Sequence, residues 1–241
     1  MKLTFSDVHF AYPGLENVAL RGVNLDISTG ERVALIGRNG SGKSTLMLIA
    51  NGILRPQRGA ILLDGQTVTY DRLSLIGLRR KVGIVFQNPE DQLFSASVYQ
   101  DLSLGPLNLG LSPEEARQRV FEVAKFCGLD GLLERPTHAL SGGEKALAAL
   151  AGVLAMSPRF LFADELTNNL DPWMCRQVLQ ILERLTDSGC AVILATHDWS
   201  MARQWAKRII WMEAGQVYRQ GLPEQVFAGQ EYLIANLNGA A

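Results

Sequence analysis

The apolar positions of this chain recur in two rhythms. Short, largely continuous runs stand at Val33–Ile36, Val82–Phe86, Phe160–Ala163, Ala191–Ala195 and, up to its closing glutamate, Ile209–Glu213. Runs of this length predict strands covered on both faces. Further strands are expected at Leu3–Phe10, Val23–Ile27 and Ala60–Leu63. Helices are marked by their starts. Ser112-Pro113-Glu114-Glu115 reads as a capping box with proline at the first helical position, opening a helix to about Cys127. Asp171-Pro172 opens another to about Thr186, and a third runs from Gly142 through Ala155, closed by Pro158. Alternating strand and helix predict an α/β fold with a mainly parallel sheet and helices on its faces. Between about Val98 and Thr137 the pattern is helical with little strand, as in a helical insert.

Composition narrows the picture. The 241 residues are 47% apolar and carry a formal net charge of -1. That is material for one sizeable domain, with no basic excess pointing to nucleic acid. Cys127, Cys175 and Cys190 are far apart and odd in number, so neither a disulfide framework nor a metal site is expected. Asp7 and His9 within the first ten residues argue against a signal peptide. The longest apolar stretch, Ala146 to Met156, is short of the roughly 18 residues that span a bilayer. Any membrane role is therefore expected to come from a partner. The C-terminal piece reads as a short helix at Pro223–Phe227 and a frayed end from Asn236 to Ala241.

Two segments carry chemistry. The run Gly37-Arg38-Asn39-Gly40-Ser41-Gly42-Lys43-Ser44-Thr45 follows an apolar strand and precedes a helix, the context a phosphate loop requires. Its glycines let the backbone curl so that N–H groups face phosphate oxygens, and the helix N-terminus adds positive dipole. Lys43 is expected on the β- and γ-phosphates, and the Ser44 hydroxyl on Mg2+. The strand Phe160–Ala163 ends in Asp164 and Glu165. Strand alternation would point them apart, Asp164 toward the metal and Glu165 toward the attacking water.

Leu140-Ser141-Gly142-Gly143-Glu144, placed shortly before Asp164, resembles the signature loop of the ATP-binding cassette (ABC) family. The rest of that family's pattern appears in order. Tyr12 matches the aromatic that stacks on adenine. Gln87 matches the glutamine reaching Mg2+ and the lytic water, Asp171 the loop that communicates across a dimer, and His197 the histidine on the γ-phosphate. The resemblance implies a phosphate-loop NTPase core, an antiparallel N-terminal β subdomain and an inserted helical subdomain over about 98–140. It also implies ATP and Mg2+ as cofactors, and a head-to-tail pair of cassettes with ATP between the phosphate loop of one and the signature loop of the other.

The segment Gln87-Asn-Pro-Glu-Asp-Gln-Leu-Phe94, with Asp101 to Leu111 after it, looks like the energy-coupling-factor branch of importers. That similarity implies a transmembrane scaffold with coupling helices, a separate substrate-binding membrane protein, and a place on the cytoplasmic face of the membrane. Cobalt or nickel is the first expected substrate, with a vitamin behind. A conventional permease, a soluble assembly or regulatory cassette and a small-molecule kinase are the competing readings. The chain departs from the family pattern in places. Leu166 stands where proline is usual, Asn168-Asn169 replaces a small pair, Glu144 replaces Gln, and Ala146 stands where a basic residue is common. Proline restricts its neighbour's backbone, so a looser loop after Glu165 is expected, and the pairing is left open between homodimer and heterodimer.

Overall fold

The computed structural model describes residues 1–14 and 18–229. In chain order these form β1 (Lys2–Ala11), β2 (Val18–Ser28), β3 (Arg32–Ile36), α1 (Lys43–Ala50), β4 (Arg58–Leu63), β5 (Gln66–Thr67), α2 (Arg72–Lys81) and β6 (Val82–Val85). There follow α3 (Val98–Asn108), α4 (Pro113–Cys127), α5 (Gly142–Leu154), β7 (Phe160–Asp164), α6 (Pro172–Asp187), β8 (Ala191–Thr196), α7 (Trp199–Trp205), β9 (Arg208–Glu213), β10 (Gln216–Gly221) and α8 (Pro223–Val226). The predicted strands all form, and the three helix starts fall where Ser112, Ser141 and Asp171 cap them. The end from Asn236 lies outside the described residues.

Two sheets result. One has four strands in the order β2-β1-β4-β5, antiparallel throughout; the other has six in the order β10-β9-β3-β8-β7-β6, parallel except for β10. The larger sheet explains the apolar runs. Along β7, Phe160 and Phe162 enter the core shared with the antiparallel sheet and α1, whereas Leu161 and Ala163 enter the core under α5 and α6. β3 divides the same way, Val33 and Leu35 to one side, Ala34 and Ile36 to the other. Both faces are covered, so period-two alternation is hidden inside an all-apolar string.

Of the elements that the pattern missed, α7 is only seven residues long although it buries Trp199, Ala202 and Trp205, and the others carry little apolar signal. β10 alternates intermediate and exposed residues, β5 is two residues long, and α2 buries only Leu78. β6 stops one residue short of the predicted end, because the Phe86 N–H donates to the Gln92 side chain (3.0 Å) rather than to a strand.

Phe162 is fully buried between sheet and sheet. Truncating it to alanine should cost about 3–5 kcal/mol, read from chemical denaturation. Burial pushes the Cys127 and Cys190 thiols up to about 12, and also raises that of the half-buried Cys175. A raised thiol pKa leaves little thiolate at neutral pH, so all three should label slowly. With a thiol reagent near pH 8, Cys175 should react first, and Cys127 and Cys190 only on unfolding.

Candidate nucleotide site

The parallel strands of the larger sheet deliver the predicted residues to one edge. Ile36 of β3 lies in register with Thr196 of β8, Asp164 of β7 with Ala195, and Val85 of β6 with Ala163. The chain leaving each carboxyl end therefore carries the phosphate loop, His197, Glu165 and Gln87 side by side, where ligands gather in open α/β sheets. A cavity of about 590 Å³ opens there, lined by Tyr12, the loop from Asn39 to Thr45, Gln87, Asp164, Glu165 and His197.

The loop's conformation depends on glycine at particular places. Gly37, Gly40 and Gly42 all have positive φ (150°, 78° and 103°). A Cβ on Gly37 would lie 2.3 Å from the Met212 carbonyl oxygen, and one on Gly42 2.7 Å from that of Ala19. Gly40 has open space beside it. The loop is thus packed against backbone behind and open in front.

Lys43 is the electrostatic centre. It is 6% exposed, and its Nζ donates to the carbonyls of Gly37 (2.7 Å) and Arg38 (3.3 Å). Among the described residues no carboxylate forms an ion pair with it. Burial lowers its pKa, and the more distant Glu165 and Asp164 oppose that shift. A buried ammonium held by carbonyls alone is matched to an incoming anion. This fits a phosphate chain. Ser44 is exposed on the same wall, with Asp164 and Gln87 facing the cavity. Among the described residues no group of three or more His, Cys, Asp or Glu could hold a metal ion. The oxygen donors of Ser44, Asp164 and Gln87 on this wall are of the kind that a hard cation such as Mg2+ takes.

At the acidic tip the alternation argument fails by one residue. β7 ends at Asp164, and Glu165 has a φ of 48°, in the left-handed region. That turn sends its carboxylate, only 7% exposed, to His197, where Oε2 meets Nδ1 at 3.0 Å. An ionised carboxylate only accepts, so this contact requires a proton on Nδ1. The expected looseness after Glu165 is also absent. Leu166 is 4% exposed in the core, the Glu165 N–H donates to the Ala195 carbonyl (3.0 Å), and the Asn168 N–H to that of Glu165 (2.9 Å). An anchored side chain and two backbone bonds supply the restraint that proline would have given.

Tyr12 follows β1 at the cavity wall. Its hydroxyl shares a hydrogen bond with Thr45 Oγ1 (3.2 Å), and its ring meets Phe10 edge-on with centroids 5.0 Å apart. Arg38 and Gly37 do not line this cavity. Gly37 is buried behind it, and Arg38 faces a separate cavity beside Trp199 and Trp211. Val18, Ala19 and Asn168 do line it and were not anticipated. Val18 and Ala19 are apolar residues at a strand start and leave no motif to find, whereas Asn168 was noted only as a departure from the family pattern.

The second group of predicted residues stands apart from this cavity. Ser141 caps α5, accepting from the Glu144 N–H (3.3 Å), while Glu144 accepts from the Ser141 N–H (2.7 Å) and pairs with Arg135 (3.1 Å). The Glu144 carboxylate is therefore already engaged. A Cβ on Gly143 would lie 2.9 Å from the Met174 side chain, so the start of α6 packs on the start of α5. Asp171 caps α6 by accepting from the N–H groups of Trp173 (2.9 Å) and Met174 (3.0 Å). Ser141 and Gly142 are exposed, so the capped N-terminus of α5 stands at the surface.

The sign of the Lys43 shift gives a pH dependence. Its folded pKa lies below 10.5, so it loses its proton at lower pH than an ordinary lysine. An anion beside it would restore the proton. ATP affinity should therefore fall, as pH rises, before the ordinary lysine range is reached. Lys43→Arg should move that fall upward. Titration of Kd against pH by calorimetry checks both.

The sequence profile of the ABC transporter family matches residues 20–168. The energy-coupling factor transporter ATP-binding protein EcfA of Methanothermobacter thermautotrophicus is 44% identical over 227 residues, covering 94% of this chain and 73% of that protein. Among solved structures, CbiO1 from Clostridium perfringens, part of the ABC transporter complex CbiONQ, superposes with a TM-score of 0.86 at 41% identity, covering 99% of this chain and 94% of that one. The dimeric ATP-binding cassette MJ0796, in a post-hydrolysis state with ADP and Pi, gives 0.83 at 31% identity over 92% of this chain and 98% of that one. The likeness extends over the whole fold as well as the motifs, and with it the protein belongs to the ABC transporter family, as an ATP-binding and ATP-hydrolysing subunit similar to the energy-coupling-factor ATPases.

Proposed function

We propose that this chain is the Mg2+-dependent ATPase of an energy-coupling-factor importer, working as one of two cassettes on the inner side of a membrane scaffold. The observation that carries the reading is the buried Lys43, without an ion-pair partner among the described residues, in the same cavity as the hydrogen-bonded pair Glu165 and His197. In this reading the phosphate-loop amides and Lys43 hold the β- and γ-phosphates. Ser44, Asp164 and Gln87 would hold Mg2+, which when bound offsets phosphate charge. Tyr12 stacks on the base. Glu165 accepts a proton from the attacking water, and His197 keeps its carboxylate aimed. Arg38 lies outside the cavity and is dropped from the phosphate contacts.

The exposed N-terminus of α5, where Ser141 caps the helix ahead of Gly142 and Gly143, supports pairing. It is a second anion-binding surface that does not reach the chain's own cavity, so a second cassette is needed to use it. Asp171, at the start of α6 beside it, is read as part of the contact between cassettes. The likeness to the EcfA protein and to CbiO1 supports the importer branch, with a scaffold and a membrane substrate-binding protein as partners. Cobalt or nickel is the first substrate proposed, with a vitamin second. No helix of the described residues is long and apolar enough to cross a membrane. Membrane attachment is accordingly assigned to the scaffold.

Lys43→Ala should lower kcat by about 10²–10³ or more, because charge on the transferring phosphoryl is lost. Unchanged turnover would overturn the site. For the importer branch, the tagged chain is extracted gently from its native membranes and co-purifying proteins are identified by mass spectrometry. A polytopic scaffold with a small substrate-binding membrane protein is expected. A permease without such a subunit would overturn the branch and leave the ATPase intact.

A further inference from the structure

The segment between Gln87 and Ser95 belongs to no long element, yet polar side chains clip it at several points. Gln92 accepts from the Phe86 N–H (3.0 Å) and donates to the Ile84 carbonyl (3.1 Å), tying the segment to the edge of β6. Asn88 accepts from the Glu90 N–H (3.2 Å). The buried Asp101 carboxylate accepts from the N–H groups of Phe94 and Ser95 (both 2.9 Å), and the Thr137 hydroxyl donates to the Ser95 carbonyl (2.7 Å). One further clip runs elsewhere. Glu90 forms an ion pair with Lys145, in the first turns of α5 just beyond Ser141, Gly142 and Gly143. Among the described residues it is the only ion pair between residues 87–95 and another element.

The placement of this pair is hard to explain by stability. The Glu90 side chain is 65% exposed, and pairs so open to water contribute little. A lysine near a helix N-terminus also opposes the helix dipole. Yet the Lys145 side chain is only 19% exposed, laid along a cavity of about 400 Å³ that Gln87, Ala146, Leu166 and Asn169 also line. The cavity separates the three pieces that must act together, namely the glutamine segment, the start of α5 and the loop after Glu165. Lys145 spans it.

We infer that the Lys145–Glu90 pair is a latch that sets the position of Gln87 relative to the Ser141–Gly143 helix start, so that the two move as one unit. Both are positioning residues, acting through Gln87 and the helix start. The inference rests on the proposed roles of those groups. Because the latch acts on alignment for hydrolysis, its loss lowers kcat and leaves ATP binding at the phosphate loop unchanged. Because it is a charge pair, its function survives exchange of the two charges.

The test uses the full chain with Lys145→Gln, Glu90→Gln, and the exchanged double variant Lys145→Glu with Glu90→Lys. Each single variant should lower kcat about fivefold, with KM for MgATP within about twofold and the melting temperature within about 2 °C. The exchanged double should return kcat to within about twofold of the parent. Single variants with parental kcat, a rise in KM alone, or a double variant no better than the singles would each overturn the latch. Lys43→Ala measured in parallel separates the two failures. If that variant is dead while the latch variants turn over normally, the site stands and the latch falls; if it turns over too, the site assignment itself has failed.

Discussion

A buried lysine with no ion-paired carboxylate among the described residues sets the terms for the nucleotide cleft. Taking an ammonium out of water is costly, and Lys43 is compensated only by two carbonyl oxygens of its own loop. Those carbonyls point inward because the loop bends through three glycines, and the bend is held by backbone packed where side chains would otherwise be. The N–H groups are left facing out. Glu165 and Asp164 act on Lys43 from a distance and leave its near side free. The cleft is thus prepared for a large negative charge.

The doubly covered sheet is what brings the other groups to that charge. Because β3, β8, β7 and β6 run parallel and in register, their carboxyl ends form one edge, and any residue placed just past a strand end arrives there. Residues far apart in sequence need no long-range recognition of their own. The antiparallel sheet enters at one corner, where Tyr12 leaves β1 to reach Thr45.

Much of this was legible beforehand. Glycine spacing, helix caps and apolar runs are local signals, and they located the phosphate loop, the three capped helices and the strands. What escaped was set by geometry at chain ends and turns. The alternation that runs along β7 does not extend to Glu165, because one left-handed residue rotates its side chain toward His197. The motif counts Arg38 as part of the phosphate loop, while the fold turns it toward Trp199. Leu166 reads as a departure that loosens a loop, and its burial does the opposite. Val18 and Ala19 owe their place in the cleft to the register of β2, which their own side chains do not announce.

The backbone of Glu165 carries a further consequence. A left-handed φ suits glycine or asparagine better than glutamate, and holding it costs of the order of 1–3 kcal/mol. The fold and the base role proposed for Glu165 make opposite demands on this one position. A substitution that relaxes the backbone there would leave a well-folded subunit, firmer than its parent, with its nucleotide cleft intact and without the carboxylate proposed as the base. Such a protein would not vanish from the cell as destabilised variants do. It would persist as a folded subunit with its phosphate loop in place.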